Sequence, residues 1–369
     1  VQRVLTEPTI LLDYLKLLFL FDPSYGSLFH DQYPPATDAL HPWYTLPALI
    51  ACGGACIVAW INRRRWPVIA AAILFFFVGH LIESTSLALE LYFEHRNYLP
   101  SMLLFWPIGV VLAQSRWRTA SITLAFTLLA GLAVLTHVTA DLWSKPLEQA
   151  RFWASEAPGS PRAQAYAAQM EAVSGHRDAA MQRIGTAVRR FPAEPQIAFT
   201  LINLRCEQGT VSADDWGTVE RALRDTTRDP GALLSQWMER GIEELPAPGC
   251  SGFDATRLSH VLDVASANPQ VARLPGRMQD ISHARGLLAL GSGDADGALA
   301  WFNDALRRDP GPAVALAQAA RLGATGHPKE GLAHLNFYDT LEVTPVRPTQ
   351  GMRWLHARLL DHQGYWENE

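Results

Sequence analysis

The 369-residue chain has no basic cluster interleaved with aromatic residues, and its formal net charge is only −5. A surface that tracks a phosphate backbone needs such a cluster, so the composition argues against nucleic acid as a partner. There is no CxxC, HExxH, Walker loop or GxSxG, which closes the motif routes to thiol redox, zinc protease, nucleotide and α/β-hydrolase chemistry. No cofactor and no metal ligand set is expected, and a divalent-metal requirement stays open. A basic n-region followed by a short apolar core and a small-residue cleavage site is also missing. The chain begins at Val1 and is expected to be a fragment that starts inside a longer membrane protein. Cysteines number four. Cys52 and Cys56 sit at i, i+4 in an apolar stretch and read as small apolar residues. An oxidising compartment would permit a disulfide between Cys206 and Cys250, although spacing alone does not bring their Cα atoms within about 7 Å.

What is present divides into two unlike halves. Residues 1–143 are apolar and aromatic, whereas residues 144–369 are rich in Ala, Arg, Asp, Gly and Pro. Residues 44–61, 67–82, 98–113 and 119–139 have the polarity of membrane spans. At roughly 16 to 21 residues they approach the about 20 needed to cross a hydrocarbon core, and they lack the polar outer face of a soluble helix. Arg63, Arg64 and Arg65 fall between the first two spans, and Arg116 and Arg118 near the join of the last two, so both basic turns lie on one side. The positive-inside rule makes that side cytoplasmic and places residues 1–43, the 83–97 connection and residues 144–369 outside. Gly53, Gly54 and Ala55 suggest a close helix contact in the first span.

Within residues 1–43, residues 8–21 read as a short interfacial helix with Leu11, Leu12, Leu15, Leu18 and Phe19 on one side. An irregular loop over residues 29–35 follows, near the membrane surface. Its His30–Asp31 pair has the chemistry to orient a substrate or bind a metal; a solvated loop is the plainer reading.

The most unusual stretch is HLIESTSLALELYFEHRNYLPS, residues 80–101, where charge stands at the boundary between apolar segments. At about 100° per residue, His80, Glu83, Glu90 and Glu94 occupy a sector of roughly 80°, so an uninterrupted helix would carry them as one stripe. Charge buried in a span is costly, which points Glu83 and His80 toward the interior, for packing or for substrate.

The second half is helical with signs of a repeat. Gly175, Ala180, Ile184, Ala187 and Pro192 share their spacing with Gly293, Ala298, Phe302, Ala305 and Pro310, at an offset of 118 in every pair. Small residues at fixed places let antiparallel helices approach closely, and the proline follows the second helix, as in a tetratricopeptide repeat. Gly286 fits the small position of a first helix, and a weaker unit follows around Gly326, Gly331 and Leu335. Because 118 is not a multiple of 34, the intervening residues must be degenerate or carry an insertion, with residues 246–252 a candidate. The expected fold class is therefore all-α: an outer segment over 1–43, a polytopic transmembrane helical domain of about four spans over 44–143, and a tetratricopeptide-repeat-like α-solenoid over 144–369.

The 80–101 segment, the preceding YLKLLFLFDP and FHDQYPP, and the repeat tail together resemble a bacterial family of multispanning membrane proteins that end in tetratricopeptide repeats. These are similar to the transmembrane and tetratricopeptide-repeat O-mannosyltransferases and to pilin glycosyltransferases of the GT-C superfamily. The resemblance covers almost the whole chain, and its most specific element is Glu94-His95-Arg96-Asn97-Tyr98-Leu99-Pro100-Ser101, which matches Glu-x-x-x-Tyr-Leu-Pro-Ser. It implies transfer of a sugar from a polyprenyl-phosphate carrier to a protein or glycan acceptor, at the outer face of a bacterial inner membrane. In that superfamily the catalytic acidic residues lie in the first outer loop, so the catalytic base is expected upstream of Val1.

The chemistry of the residues is compatible with that implication. Arg96 offers a fork of donors to an anionic carrier head, His95 and Asn97 further polar groups, and Tyr98 a hydroxyl at the start of the third span. Glu94 and Glu90 would hold Arg96 or bind sugar hydroxyls; a purely structural Glu94–Arg96 ion pair is the alternative. Two other functions remain open: a lipid-linked glycan ligase or polymerase, and a non-enzymatic scaffold whose repeats recruit an envelope protein.

Overall fold

The computed structural model describes residues 2–20, 28–31, 33–81, 91–245 and 249–341. Among them the chain is all-α, with seventeen α-helices and no extended strand. Two compact units divide it, Val1–Met170 and Glu171–Glu369.

In the first unit, α1 (Gln2–Phe19) packs on α2 (Thr45–Asn62), which packs on α3 (Pro67–His80). Two 3₁₀ turns, Glu94–Asn97 and Pro100–Leu103, lead into α4 (Trp106–Gln114), α5 (Arg118–Trp143), α6 (Pro146–Glu156) and α7 (Pro161–Val173). Among the described residues only α2 and α5 are long and apolar enough to cross a membrane. α3 and the Pro100–Gln114 stretch are apolar but shorter, so four full spans are not what the described residues contain. The third is broken because Pro100 and Pro107 interrupt the backbone ladder and leave 3₁₀ geometry ahead of a nine-residue α4.

Helix α1 is longer than the sequence pattern predicts and does not simply rest on a surface. Its Ile10, Leu11 and Tyr14 are buried with Cys52, Phe76, Tyr92 and Leu104, and the Cys52 thiol points at the Pro8 carbonyl, 3.6 Å away. The close approach expected at Gly53 and Gly54 is not seen: among the described residues no neighbouring atom lies within 4 Å of where either Cβ would stand. α2 instead buries Ala48, Cys52 and Ala59. The tight contact falls on Gly79 of α3, where an added Cβ would meet the Pro100 ring at 2.9 Å. That contact sets the start of the 100–114 stretch beside the end of α3, and α4 then runs back along α3.

The second unit continues with α8 (Arg177–Arg190), α9 (Pro195–Glu207), α10 (Ala213–Asp225), α11 (Ala232–Glu244), α12 (Ala255–Ala267), α13 (Pro269–Ala272), α14 (Pro275–Gly291), α15 (Ala295–Arg308), α16 (Pro312–Ala324) and α17 (Pro328–Asp339). The paired glycines of the sequence pattern are turns: Gly175 and Gly293 have φ of 84° and 83°, as do Gly209 (92°) and Gly326 (89°) between later helix pairs. A left-handed residue ends one helix and frees the chain to reverse. Gly209 follows Gly175 by 34 residues. The intervening region therefore opens with a regular pair, α9 and α10, and the irregular part is α11 to α13. Gly286 lets α14 lie against the Phe302 ring of α15, which would collide with any Cβ there.

A disulfide joins Cys206 to Cys250, with Cα atoms 4.9 Å apart. It sits beside a short bridge in which Val211 N donates to Ser251 O (2.8 Å) and Ser251 N to Gly209 O (2.9 Å). Trp216 Nε1 donates to Gly252 O at 2.9 Å, and Phe199 stacks on Trp237 at 4.3 Å in the same core. Further along, His334 Nδ1 lies 2.8 Å from Asn303 Oδ1 and its Nε2 2.9 Å from Gln318 Oε1, while Gln318 Nε2 lies 3.0 Å from His283 Nδ1. This polar chain links α15, α17, α16 and α14 through the interior.

Candidate functional site

The two segments that carry polar residues at the edge of the apolar helices come together in the first unit. Residues 28–31 and 33 follow α1, and residues 91–98 lie between α3 and α4. Tyr14 of α1 holds the second segment open. Its hydroxyl donates to Phe93 O (2.9 Å) and accepts from Phe93 N (2.8 Å), so Phe93 is extended, with φ −153° and ψ 113°, instead of helical. A side chain thus takes the place of a neighbouring strand.

His80 and Glu94 consequently do not share a continuous helix. α3 stops at His80, Phe93 is extended, and Glu94 opens a 3₁₀ turn, so the single stripe expected from helical periodicity is broken between them. Glu83 and Glu90 lie outside the described residues.

His30 meets Glu94. Its Nε2 is 3.4 Å from Glu94 Oε1, and its ring lies 4.1 Å from that of Tyr92. Tyr92 also contacts Tyr33 (5.4 Å) and Tyr14 (5.0 Å), and Tyr14 stacks on His80 (5.6 Å). The result is a run of four rings from the half-exposed His30 through Tyr92 and Tyr14 to the buried His80, with Tyr33 branching from Tyr92. The Tyr33 hydroxyl donates to Asp13 (2.9 Å) and lies 3.1 Å from Thr9 Oγ1. Burial, and then the Asp13 carboxylate, push the Tyr33 phenol above its ordinary pKa, so it stays a donor.

Asp31 does not join His30. Its carboxylate accepts from Ser160 Oγ (2.6 Å), which also caps α7 at Ala163 N (3.0 Å). On the other side of His30, Phe29 packs against Trp153 (5.7 Å) and Tyr166 (5.9 Å), beneath the Arg162 guanidinium. Both neighbours of His30 are therefore held by α6 and α7, and that anchoring aims the imidazole at Glu94.

The remaining candidates are spread along one turn. Asn97 is buried beside His80, and among the described residues neither His80 Nε2 nor Asn97 Oδ1 has a hydrogen bond of good geometry. Arg96 is half-buried near His80. His95 is exposed with its ring on Phe93 (4.1 Å), and Tyr98 is 91 % exposed. Among the described residues no group of three His, Cys, Asp or Glu side chains is gathered as a metal ion would require.

No protein-family model matches the chain, and no curated protein matches it. The functional reading rests on the residues themselves.

Sequence reasoning missed Tyr14, Tyr33 and Tyr92 as the frame of this site, and Asp13 and Thr9 behind it. Their available signal was a polar pair, Asp13-Tyr14, on an otherwise apolar helix face, next to a tyrosine-bearing loop.

Proposed function

We propose that this chain is the later part of a GT-C-type membrane glycosyltransferase. In this reading it binds a polyprenyl-phosphate-linked sugar and passes the sugar to a protein or glycan acceptor outside the cytoplasm. The observation that carries the reading is the meeting of His30 with Glu94. The FHDQYPP loop and the EHRNYLPS segment, which also carry the family resemblance, form one polar, aromatic-backed rim at the end of α3 away from the basic turn. Half-buried Arg96 supplies fixed positive charge to a phosphate at that rim, and Glu94, His95 and Tyr98 are exposed there for the sugar or acceptor.

In the same reading α2 and α5 cross the bilayer, with α3 and the 100–114 stretch completing a four-segment bundle as shorter elements. The helical pairs of the tail are a tetratricopeptide-repeat-like solenoid, supported by turn glycines at about 34-residue intervals and by the Gly286–Phe302 contact. A Cys206–Cys250 disulfide suits an oxidising, extracytoplasmic location. In the full-length protein, Arg96→Ala is expected to abolish sugar transfer from a lipid-linked donor while leaving membrane abundance unchanged. Wild-type transfer by that variant removes the phosphate role.

A second reading, a membrane-anchored repeat scaffold, is favoured by the size of the second unit and by the large buried core that α9 to α12 and α14 form within it. It predicts that the full-length protein retains an envelope protein on affinity capture equally well with Arg96→Ala and that no lipid-linked sugar is consumed.

A further inference from the structure

The opposite end of the apolar bundle carries a distinct chemistry. No Asp or Glu occurs in residues 44–81 or in residues 98–140, yet these stretches hold Arg63, Arg64, Arg65, Arg116 and Arg118. All five are exposed, and among the described residues none has a carboxylate partner. Three of them lie over tryptophan rings: Arg63 over Trp60 at 4.2 Å, Arg65 over Trp66 at 5.3 Å, and Arg116 over Trp117 at 5.7 Å. The tryptophans are themselves 59 %, 46 % and 64 % exposed.

The fold brings these pairs to one end. Gly79 against Pro100 fixes the start of the 100–114 stretch at the far end of α3, so α4 returns alongside α3 toward the end that carries Arg65 and Trp66, and Arg116 and Trp117 follow it. At the other end the cation nearest the close of α5 is already neutralised, since Lys145 pairs with Asp141 at 2.8 Å. Guanidinium groups without a carboxylate partner, one of them donating to the Trp60 carbonyl (2.6 Å), beside exposed indoles fit the water–hydrocarbon boundary. There the rings sit among acyl chains and glycerol, and the charge reaches outward to phosphate.

We propose that the α2–α3 and α4–α5 turns together form a binding site for the phosphate of anionic phospholipid headgroups. The proposal rests on the membrane reading of α2 to α5, and not on the transferase reading. An arginine fork bonds two phosphate oxygens at once, and the indole beneath it fixes the plane of the fork. The absence of any acid in either stretch leaves the positive field uncancelled, which selects anionic over zwitterionic lipid.

The test is native mass spectrometry of the whole chain in detergent with equal amounts of phosphatidylglycerol and phosphatidylcholine. Wild type is expected to retain phosphatidylglycerol preferentially. R63Q, R65Q and R116Q should each lower the phosphatidylglycerol-to-phosphatidylcholine ratio by about fivefold, and the triple variant should lower it further than any of them. R63K/R65K/R116K, which keeps the charge, is expected to retain a preference. Unmutated protein at about 1 M salt, where the screening length is about 3 Å, should lose most of its preference, and this arm is independent of any effect of substitution on folding. Equal retention of the two lipids by wild type, or an unchanged ratio in the triple variant, overturns the proposal and leaves the membrane reading intact. A chain that carries neither lipid nor a detergent belt overturns both.

Discussion

The imidazole of His30 stands 3.4 Å from the carboxylate of Glu94, although one follows α1 and the other precedes α4. The pair is held from three directions: Phe29 and Asp31 fix the histidine's backbone on α6 and α7, Tyr92 lies against its ring, and Tyr14 fixes the backbone of Phe93 ahead of Glu94.

If the two act as a unit, their substitutions are not additive. Under the proposed glycosyl-transfer function, His30→Ala and Glu94→Gln are each expected to reduce transfer by the full-length protein, and the double variant should lose less than the sum, with a coupling of about 0.5–3 kcal/mol. Additive losses in such a cycle would separate the two residues functionally.

Gly286→Ala places a methyl group in the Phe302 ring. Because α14 and α15 cannot close with that overlap, a destabilisation of about 1–3 kcal/mol is expected, read as a lower midpoint in chemical denaturation. Adding Phe302→Leu should recover part of the loss.

Reduction of the Cys206–Cys250 bond, or Cys250→Ser, should cost about 2–4 kcal/mol of stability, since the bond closes a 44-residue separation. A difference between denaturation midpoints with and without reductant measures it. Coincident curves would mean that the bridge between Val211 and Ser251 holds the loop unaided.

Burial lowers the pKa of both His283 and His334 to about 4, from 6.5. The unfolded chain therefore binds more protons than the folded one between those values. Stability from these groups is complete above pH 6.5 and falls as the pH drops toward 4, by up to a few kcal/mol. Urea midpoints of the whole chain across that window should decline with acidity, and His334→Asn should flatten the slope. An unchanged slope in that variant would assign the acid sensitivity to other groups.

Much of the helical framework was legible because its causes are local. Gly175 and Gly293 announce turns through spacing to the Ala180/Ile184/Ala187 and Ala298/Phe302/Ala305 faces, and all six of these residues are buried. The missed pair at Gly209 was hidden because α10 carries Trp216 and a Ser212–Asp215 capping box in place of the alanine-rich pattern. The site was legible only as a set of residues. His30, Glu94, His80 and Asn97 could be named from their chemistry, but a helical stripe was the wrong geometry for His80 and Glu94. The Tyr14 hydroxyl decides the backbone at Phe93 from a distant helix, and no local period reports that.

Apolar length, the arginines with no acid near them, and the glycine-punctuated helices follow from the amino-acid order alone, since each depends on neighbours within a turn or two. Which loop faces which was settled only in three dimensions. Phe29 finds Trp153, Asp31 finds Ser160 and Pro100 fits against Gly79 through contacts between distant parts of the chain, and only once those are made do His30 and Glu94 share one rim.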